Sequence, residues 1–140
     1  MKKSNHSVEV IISANPSSVW GVIASGKDVD KWLAPITSCK VEGNKRVCAT
    51  AEGSFEEDIL QVDNENKIFR YFIPTQHILP VKDIEGSMKV KTINEDTTAV
   101  VWSWNYLVED TDDLKVREAL SGLGVMGING IESFVNSLVH

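Results

Sequence analysis

The sequence is poor in the side chains that build metal sites and disulfide frameworks. Only two cysteines occur in 140 residues, and the three histidines, His6, His77 and His140, are far apart along the chain. Cys39 and Cys48 belong to no CxxC motif. Because structural zinc sites need clusters of such ligands at short spacings, no zinc motif is present. We therefore expect neither a metal nor a cofactor.

Basic residues and long apolar segments are also scarce. The chain has 14 Lys and Arg against 20 Asp and Glu, a formal net charge of −6 that disfavours a nucleic-acid partner. The longest apolar run, residues 119–139, contains Glu132 and several other polar residues, and an acid within a membrane span is costly. No apolar segment follows Lys3, as a secretory signal would require. We expect a single cytoplasmic domain, residues 1–140, with no membrane span.

The hydrophobic pattern predicts one strand, two short helices and then a series of strands. Residues 7–13 alternate as a strand does, Asn15 and Pro16 can begin a short helix that Gly26 ends, and a second short helix covers 28–33. The later predicted strands are 36–42, 46–52, 54–62, 67–74, 83–93 and 98–108. Most of the segments that separate them are short turns, which favours an antiparallel meander.

After Val108 the apolar period changes to three and four, which predicts a helix of about 27 residues, or about 40 Å. Asp110 to Asp113 supply capping residues and acids at its start. The helix contains Gly122, Gly124, Gly127 and Gly130, although each interior glycine costs about 1 kcal/mol. Gly124 and Gly127 fall on the face toward the sheet, and the other two fall nearer its flanks. Missing side chains on that face either admit large sheet residues or leave room for a ligand.

Two registers are open for the hairpin that contains both cysteines. A two-residue turn pairs Glu42 with Lys45 and Cys39 with Cys48, at a position where a disulfide is geometrically allowed. A three-residue turn pairs Val41 with Val47 and Cys39 with Ala49, so that apolar side chains share one face. We favour the three-residue turn because face consistency sets register strongly, and we expect reduced cysteines.

The order of elements and several short segments resemble a known family. The segments are IISANPSSVW ending at Trp20, WLAP from Trp32, EDI from Glu57, RYFI from Arg70, IEGS from Ile84 and VVWSW ending at Trp104. The chain resembles the polyketide cyclase/dehydrase and lipid-transport group of the START-like superfamily. The resemblance implies an α+β helix-grip fold: a curved seven-strand antiparallel sheet wrapped around a long C-terminal helix, with two short helices between strands 1 and 2. It also implies a pocket for a hydrophobic ligand and no shared catalytic set.

One helix cannot cover a strongly curved sheet completely, so we expect a cavity between them. Trp102, Trp104 and Tyr106 share one face of the last strand and can form its floor. Packing of these aromatics into a filled core is the alternative. The residues expected to bind a ligand are Trp32, Phe55, Tyr71, Ile84, Met88, Trp102, Trp104, Tyr106, Leu120, Leu123, Gly124 and Gly127.

Three side chains are weak candidates for proton transfer. Glu57 alternates with Phe55 and Ile59, so it is either a carboxylate within an apolar cavity or an acid paired elsewhere, with Arg46 as its partner. Tyr71 can orient a ligand oxygen or bind backbone. His77 falls in a long loop, where it is either a base at the cavity mouth or a solvated residue.

These patterns support three functions, in decreasing order. The first is binding of a small hydrophobic, lipid- or polyketide-like molecule. The second is an aromatase/cyclase or dehydratase acting on a polyketide-like substrate, and the third is a protein-interaction module whose pocket is filled by side chains. Whether the chain is an enzyme stays open, and we expect a monomer or a homodimer.

Overall fold

The computed structural model describes residues 1–138, so His140 lies outside the described residues. Within these residues, seven strands, three helices and a 3-10 turn follow one another. They are β1 (Lys2–Ile12), α1 (Pro16–Ser25), α2 (Val29–Trp32), β2 (Ser38–Glu42), β3 (Lys45–Thr50), β4 (Gly53–Asp63), β5 (Ile68–Ile73), β6 (Val81–Asn94), β7 (Thr97–Val108), the 3-10 turn (Asp110–Asp112) and α3 (Asp113–Ser137).

All seven strands form a single antiparallel sheet in the order β1-β7-β6-β5-β4-β3-β2. The helix α3 packs on β1, β7, α1 and α2, so the core lies between the inner face of the sheet and the helices. This arrangement confirms the predicted α+β helix-grip fold. Within residues 1–138, no helix combines the length and the apolar character that crossing a bilayer requires.

The strand β1 begins five residues earlier than predicted, at Lys2 rather than residue 7. Two inward-facing residues in the first half of β1 are polar, so this half does not show the alternation of apolar and polar residues that indicates a strand. The hydroxyl of Ser4, which is buried, donates to Asp113 Oδ1 at 2.9 Å, and His6 Nε2 lies 2.6 Å from Ser121 Oγ. Hydrogen bonds to α3 therefore replace apolar burial at this end of the strand.

The first residues of α1 and α3 differ in their hydrogen bonding: α1 has a side-chain cap and α3 has none. Asn15 caps α1 as predicted, since its side-chain oxygen accepts from the backbone N–H of Ser18 at 3.1 Å. Asp112 precedes α3 but makes no side-chain capping bond, contrary to the expected role of these acids. Asp113 instead binds β1. Although desolvation raises it, hydrogen bonds from Ser4 and Lys2 hold the pKa of Asp113 below its ordinary value.

The favoured register of the β2–β3 hairpin was wrong. Glu42 pairs with Lys45 and Cys39 with Cys48, around a two-residue turn in which Gly43 has φ of 60°. The physical reason is Arg46, whose side chain points inward to the Glu57 carboxylate on β4. Its neighbour Val47 consequently points outward and is 43% exposed. Both cysteines are free thiols.

Two glycines of α3 face the sheet, as predicted, and they permit close approach. A Cβ atom added at Gly124 would overlap Val8 and lie 2.9 Å from Trp104 Cη2. One added at Gly127 would lie 2.8 Å from Trp102 Cζ3 and 3.1 Å from Leu33 Cδ1. The missing side chains are thus matched by large indole rings.

The other two glycines differ from each other, although both were expected nearer the flanks. A Cβ atom at Gly122 would meet nothing within 4 Å. One at Gly130 would overlap the backbone carbonyl of Trp32. Gly130 therefore lets α3 touch the backbone of α2.

The pair Gly130→Ala and Gly122→Ala tests this difference. Gly130→Ala should destabilise the protein by about 1–3 kcal/mol, because the methyl group forces α2 away from α3. Gly122→Ala should stabilise it by about 0.5–1 kcal/mol, because it adds helix propensity without a clash. Urea denaturation of both variants measures the effects, and equal effects of the same sign would contradict the packing described here.

Tyr106 offers a second test of the core. Its side chain is 3% exposed, and its hydroxyl has no hydrogen-bond partner among residues 1–138. Burying an unsatisfied hydroxyl is costly, by about 1–3 kcal/mol. Tyr106→Phe should therefore leave the free energy of unfolding unchanged or raise it. A clear loss of stability in urea denaturation would show that the hydroxyl has a partner in solution.

Candidate functional site

A cavity of about 130 Å³ lies between the inner face of the sheet and the three helices. Its wall is mostly apolar and includes most of the residues that the sequence indicated. Those on the wall are Trp32, Phe55, Tyr71, Ile84, Met88, Trp102, Trp104, Leu120 and Leu123. The aromatic face predicted for β7 thus contributes two of its three members to the wall.

Three predicted ligand-binding residues do not line this cavity. Gly124 and Gly127 are in direct contact with Val8 and with the indole rings of β7, so no space remains beside them. Tyr106 lies two residues beyond Trp104 on β7 and belongs to the filled core. The helix and the sheet therefore pack directly at these positions, and the cavity lies elsewhere along α3, beside Leu120 and Leu123.

Much of the wall was not predicted. Val22 and Ile23 of α1, Val29 of α2, and Leu33 and Ile36 after it close one side. On α1 the only sequence signal was an apolar stripe that is equally typical of core packing.

The segment between β5 and β6 closes another side of the cavity with Gln76, Ile78 and Leu79. Its length, greater than that of a hairpin loop, was the available signal. Two wall residues, Pro35 and Ile78, are exposed, which places the opening of the cavity between residues 33–37 and 74–80.

One side of the apolar wall carries a buried ion pair. Arg46 and Glu57 are directly opposite on β3 and β4, and they are 6% and 3% exposed. Arg46 Nε donates to Glu57 Oε2 at 2.6 Å, and Nη2 donates to Oε1 at 2.8 Å. This bidentate geometry is the strong form of the interaction. The suggested partnership of these two residues is therefore present in the structure.

Further contacts hold both ends of the ion pair. Arg46 Nη1 donates to the carbonyl of Gly26 at 3.2 Å, and the guanidinium carbon lies 5.1 Å from the ring centre of Phe69. Although burial lowers it, the Glu57 carboxylate holds the pKa of Arg46 above its ordinary value, so the guanidinium stays charged. On the other side, the Cys48 thiol donates to Glu57 Oε2 at 3.4 Å.

The two thiols beside this pair differ in acidity. Interaction with the neighbouring Cys39 thiol, burial and the Glu57 charge raise the pKa of the Cys48 thiol. Interaction with the Cys48 thiol lowers the pKa of Cys39, which lies partly exposed near the sheet edge. Since the thiolate is the reactive form, Cys48 on the cavity wall is an unreactive thiol.

Tyr71 lies across β6 because Gly86, its paired residue there, has no side chain. A Cβ atom at Gly86 would overlap the tyrosine ring and its hydroxyl. The hydroxyl oxygen consequently reaches β7 and accepts the indole N–H of Trp102 at 2.9 Å. Burial, followed by the Glu57 charge, raises the pKa of Tyr71, so its hydroxyl stays protonated near neutral pH.

The third candidate for proton transfer lies apart from the other two. His77 is exposed, its ring packs against Gly53, and its Nε2 lies 3.1 Å from Thr50 Oγ1. It does not line the cavity, whereas Glu57 and Tyr71 do. Within residues 1–138, no three His, Cys, Asp or Glu side chains form a group that could hold a metal ion.

The fold is shared with several solved structures. An uncharacterised protein from Bacillus thuringiensis is 20% identical, with a TM-score of 0.84 over 94% of this chain and 98% of that one. Norcoclaurine synthase from Thalictrum flavum, in complex with dopamine and hydroxybenzaldehyde, is 16% identical with a TM-score of 0.75 over 97% and 88% of the two chains.

The Zhui aromatase/cyclase from a Streptomyces species is also 16% identical, with a TM-score of 0.71 over 99% and 97% of the two chains. At these identities the likeness shows the fold alone. Comparison with curated protein sequences gave no match. Residues 5–128 match the family model described as polyketide cyclase/dehydrase and lipid transport. The chain therefore belongs to the polyketide cyclase/dehydrase and lipid transport family.

Proposed function

We propose that the protein binds a small hydrophobic molecule in the cavity between its sheet and α3. The observation that carries this proposal is the cavity itself, about 130 Å³ that the surrounding side chains leave unfilled. Empty apolar space forfeits dispersion contacts, so a matching ligand gains them on binding. The family described as polyketide cyclase/dehydrase and lipid transport supports the same conclusion.

The volume limits the ligand to about one ring in this conformation. An engineered apolar cavity of about 150 Å³ binds benzene, whereas pockets for drug-sized ligands hold about 300–1,000 Å³. A cavity of about 130 Å³ is close to the first case. A lipid chain or a polyketide would need the segments 33–37 and 74–80 to move apart, since they border the opening.

An enzymatic function is the second candidate, since two structural neighbours are an aromatase/cyclase and norcoclaurine synthase. A buried carboxylate and a tyrosine on one cavity wall favour it. However, both oxygens of Glu57 accept hydrogen bonds from Arg46, and Oε2 also accepts the Cys48 thiol. Three of the four lone pairs of the carboxylate are therefore engaged, which suits Glu57 to holding Arg46 better than to acting as a general base.

An interaction module with a filled pocket is less well supported, because the pocket is not filled. The exposed large apolar side chains of α3 are Leu114, Val125 and Met126, at 70%, 43% and 40% exposure, and none of them lines the cavity. Isolated apolar residues of this kind are ordinary on protein surfaces.

Toluene binding tests the proposed function. At a concentration ten times its Kd, toluene should stabilise the protein by about 1.4 kcal/mol and raise Tm by a few degrees. Leu123→Trp should abolish the shift, because the larger side chain fills the cavity that Leu123 lines. Leu114→Trp is the matched control, since Leu114 lies on the same helix and is 70% exposed.

Differential scanning fluorimetry measures these shifts. No shift with the wild-type protein, or equal shifts with both tryptophan variants, would contradict binding in this cavity. Native mass spectrometry of protein purified from its host would then show whether a ligand is carried at all.

A double-mutant cycle tests the role assigned to Glu57. Glu57→Leu and Arg46→Met should each cost about 3–5 kcal/mol, because each leaves an unpaired buried charge. The double variant should lose much less than the sum, since it removes both charges together. Additive losses in urea denaturation would show that the two residues are not coupled and would reopen a proton-transfer role for Glu57.

A further inference from the structure

The cavity wall carries hydrogen-bond donors that the protein itself does not use. The Tyr71 oxygen accepts from Trp102, but its own O–H has no acceptor within residues 1–138. Arg46 has five N–H groups, of which three donate, two to Glu57 and one to Gly26. One N–H on Nη1 and one on Nη2 are left without an acceptor in the described chain.

Most acceptor positions on the same wall are already occupied. Both carboxylate oxygens of Glu57 accept from Arg46 and Oε2 also accepts the Cys48 thiol, which leaves one lone pair on Oε1. Gln76 is likewise committed, because Oε1 accepts the backbone N–H groups of Ile78 and Leu79 while Nε2 donates to the carbonyls of Leu79 and Val81. The polar side of the cavity therefore offers donors and few acceptors.

Both donor side chains are deeply buried, so each strongly favours a ligand that supplies a hydrogen-bond acceptor. Tyr71 is 5% exposed and Arg46 is 6% exposed. Buried donors without acceptors lose the bonds they would make to water, so a ligand that supplies an acceptor restores them. Because the wall lacks acceptors for these donors, it favours a ligand that carries a hydrogen-bond acceptor.

The balance of charge on the wall indicates whether the acceptor group of the ligand is neutral or anionic. The Arg46 charge is neutralised by Glu57 in a bidentate pair, so the wall has no spare positive charge. A carboxylate would lose its hydration in the cavity without gaining a counter-ion. A neutral carbonyl oxygen can accept from the same donors without that loss.

We propose that the ligand is a single-ring molecule bearing a neutral carbonyl group, with its oxygen bound by the Tyr71 hydroxyl and its ring among the indoles of Trp32, Trp102 and Trp104. The proposal rests on the proposed binding function, and it adds the chemical class of the ligand and the residue that selects it. Gly86 is a positioning residue, since a side chain there would displace the ring and the hydroxyl of Tyr71, a residue of the cavity wall.

Three probes with the same ring test the proposal: toluene, benzaldehyde and benzoate. Isothermal titration should give a Kd for benzaldehyde about tenfold lower than for toluene, the value of one neutral hydrogen bond. Benzoate should bind more weakly than benzaldehyde. Tyr71→Phe should reduce the preference for benzaldehyde, with the Arg46 N–H groups and the freed Trp102 N–H as the donors that remain, and the toluene Kd of the same variant is the reference because toluene accepts no such bond.

The Tyr71→Phe variant keeps every lysine, so imine formation at the surface would cancel in the comparison. Should it fail to fold after the loss of the Trp102 hydrogen bond, infrared spectroscopy of the wild-type complex supplies the answer. The carbonyl stretch of bound benzaldehyde should lie below its frequency in an apolar solvent, because a donor polarises the bond.

The outcomes separate the two proposals. If no probe binds, the binding function fails and this inference fails with it. If toluene and benzaldehyde bind equally, or the bound carbonyl has its apolar-solvent frequency, the binding function stands and the carbonyl proposal is overturned. Tighter binding of benzoate than of benzaldehyde would overturn the choice of a neutral carbonyl in favour of an anion.

Discussion

The ion pair between Arg46 and Glu57 is the constraint on which this end of the structure depends. Placing two charges inside an apolar core is tolerated only when they satisfy each other, and here the guanidinium and carboxylate meet in a bidentate arrangement. Because the pair joins adjacent strands, it fixes which face of β3 points inward. That choice in turn places Cys48 on the cavity wall and Val47 outside. The register of the hairpin and the polar side of the cavity therefore have the same physical cause.

The position of the cavity follows from a second constraint, the matching of volumes along α3. Where the helix carries Gly124 and Gly127, the indoles of β7 fill the space and the core is closed. Leu120 and Leu123, nearer the start of the helix, face the space that remains. Glycine in this helix thus lowers local propensity while it allows large aromatic rings to pack. The cavity is the space that stays unfilled between the sheet and the part of α3 that carries Leu120 and Leu123.

The sequence predicted those features that depend on period and local chemistry. Strand alternation, the Asn15 cap of α1 and the inward face of α3 all follow from neighbours within a few residues. The sequence pattern gave wrong predictions for features that depend on a residue far away along the chain. The β2–β3 register depended on Glu57, and the polar start of β1 depended on Asp113 and Ser121, both on α3. An apolar pattern cannot reveal such partners, since pairing makes a buried charge or hydroxyl acceptable only in three dimensions.

The same distinction bears on whether the proposed site binds a ligand only or also catalyses a reaction. A side chain that transfers protons must have a free lone pair or a removable proton directed at the substrate. On the described wall, Glu57 commits three of its four lone pairs to Arg46 and Cys48, whereas Tyr71 retains a proton that its raised pKa keeps in place. A neutral tyrosine of this kind can hold a carbonyl oxygen and polarise it, but it supplies no base to take a proton from the ligand. The proposed binding function needs only the Tyr71 donor, whereas catalysis of proton transfer would also need a free base directed at the ligand.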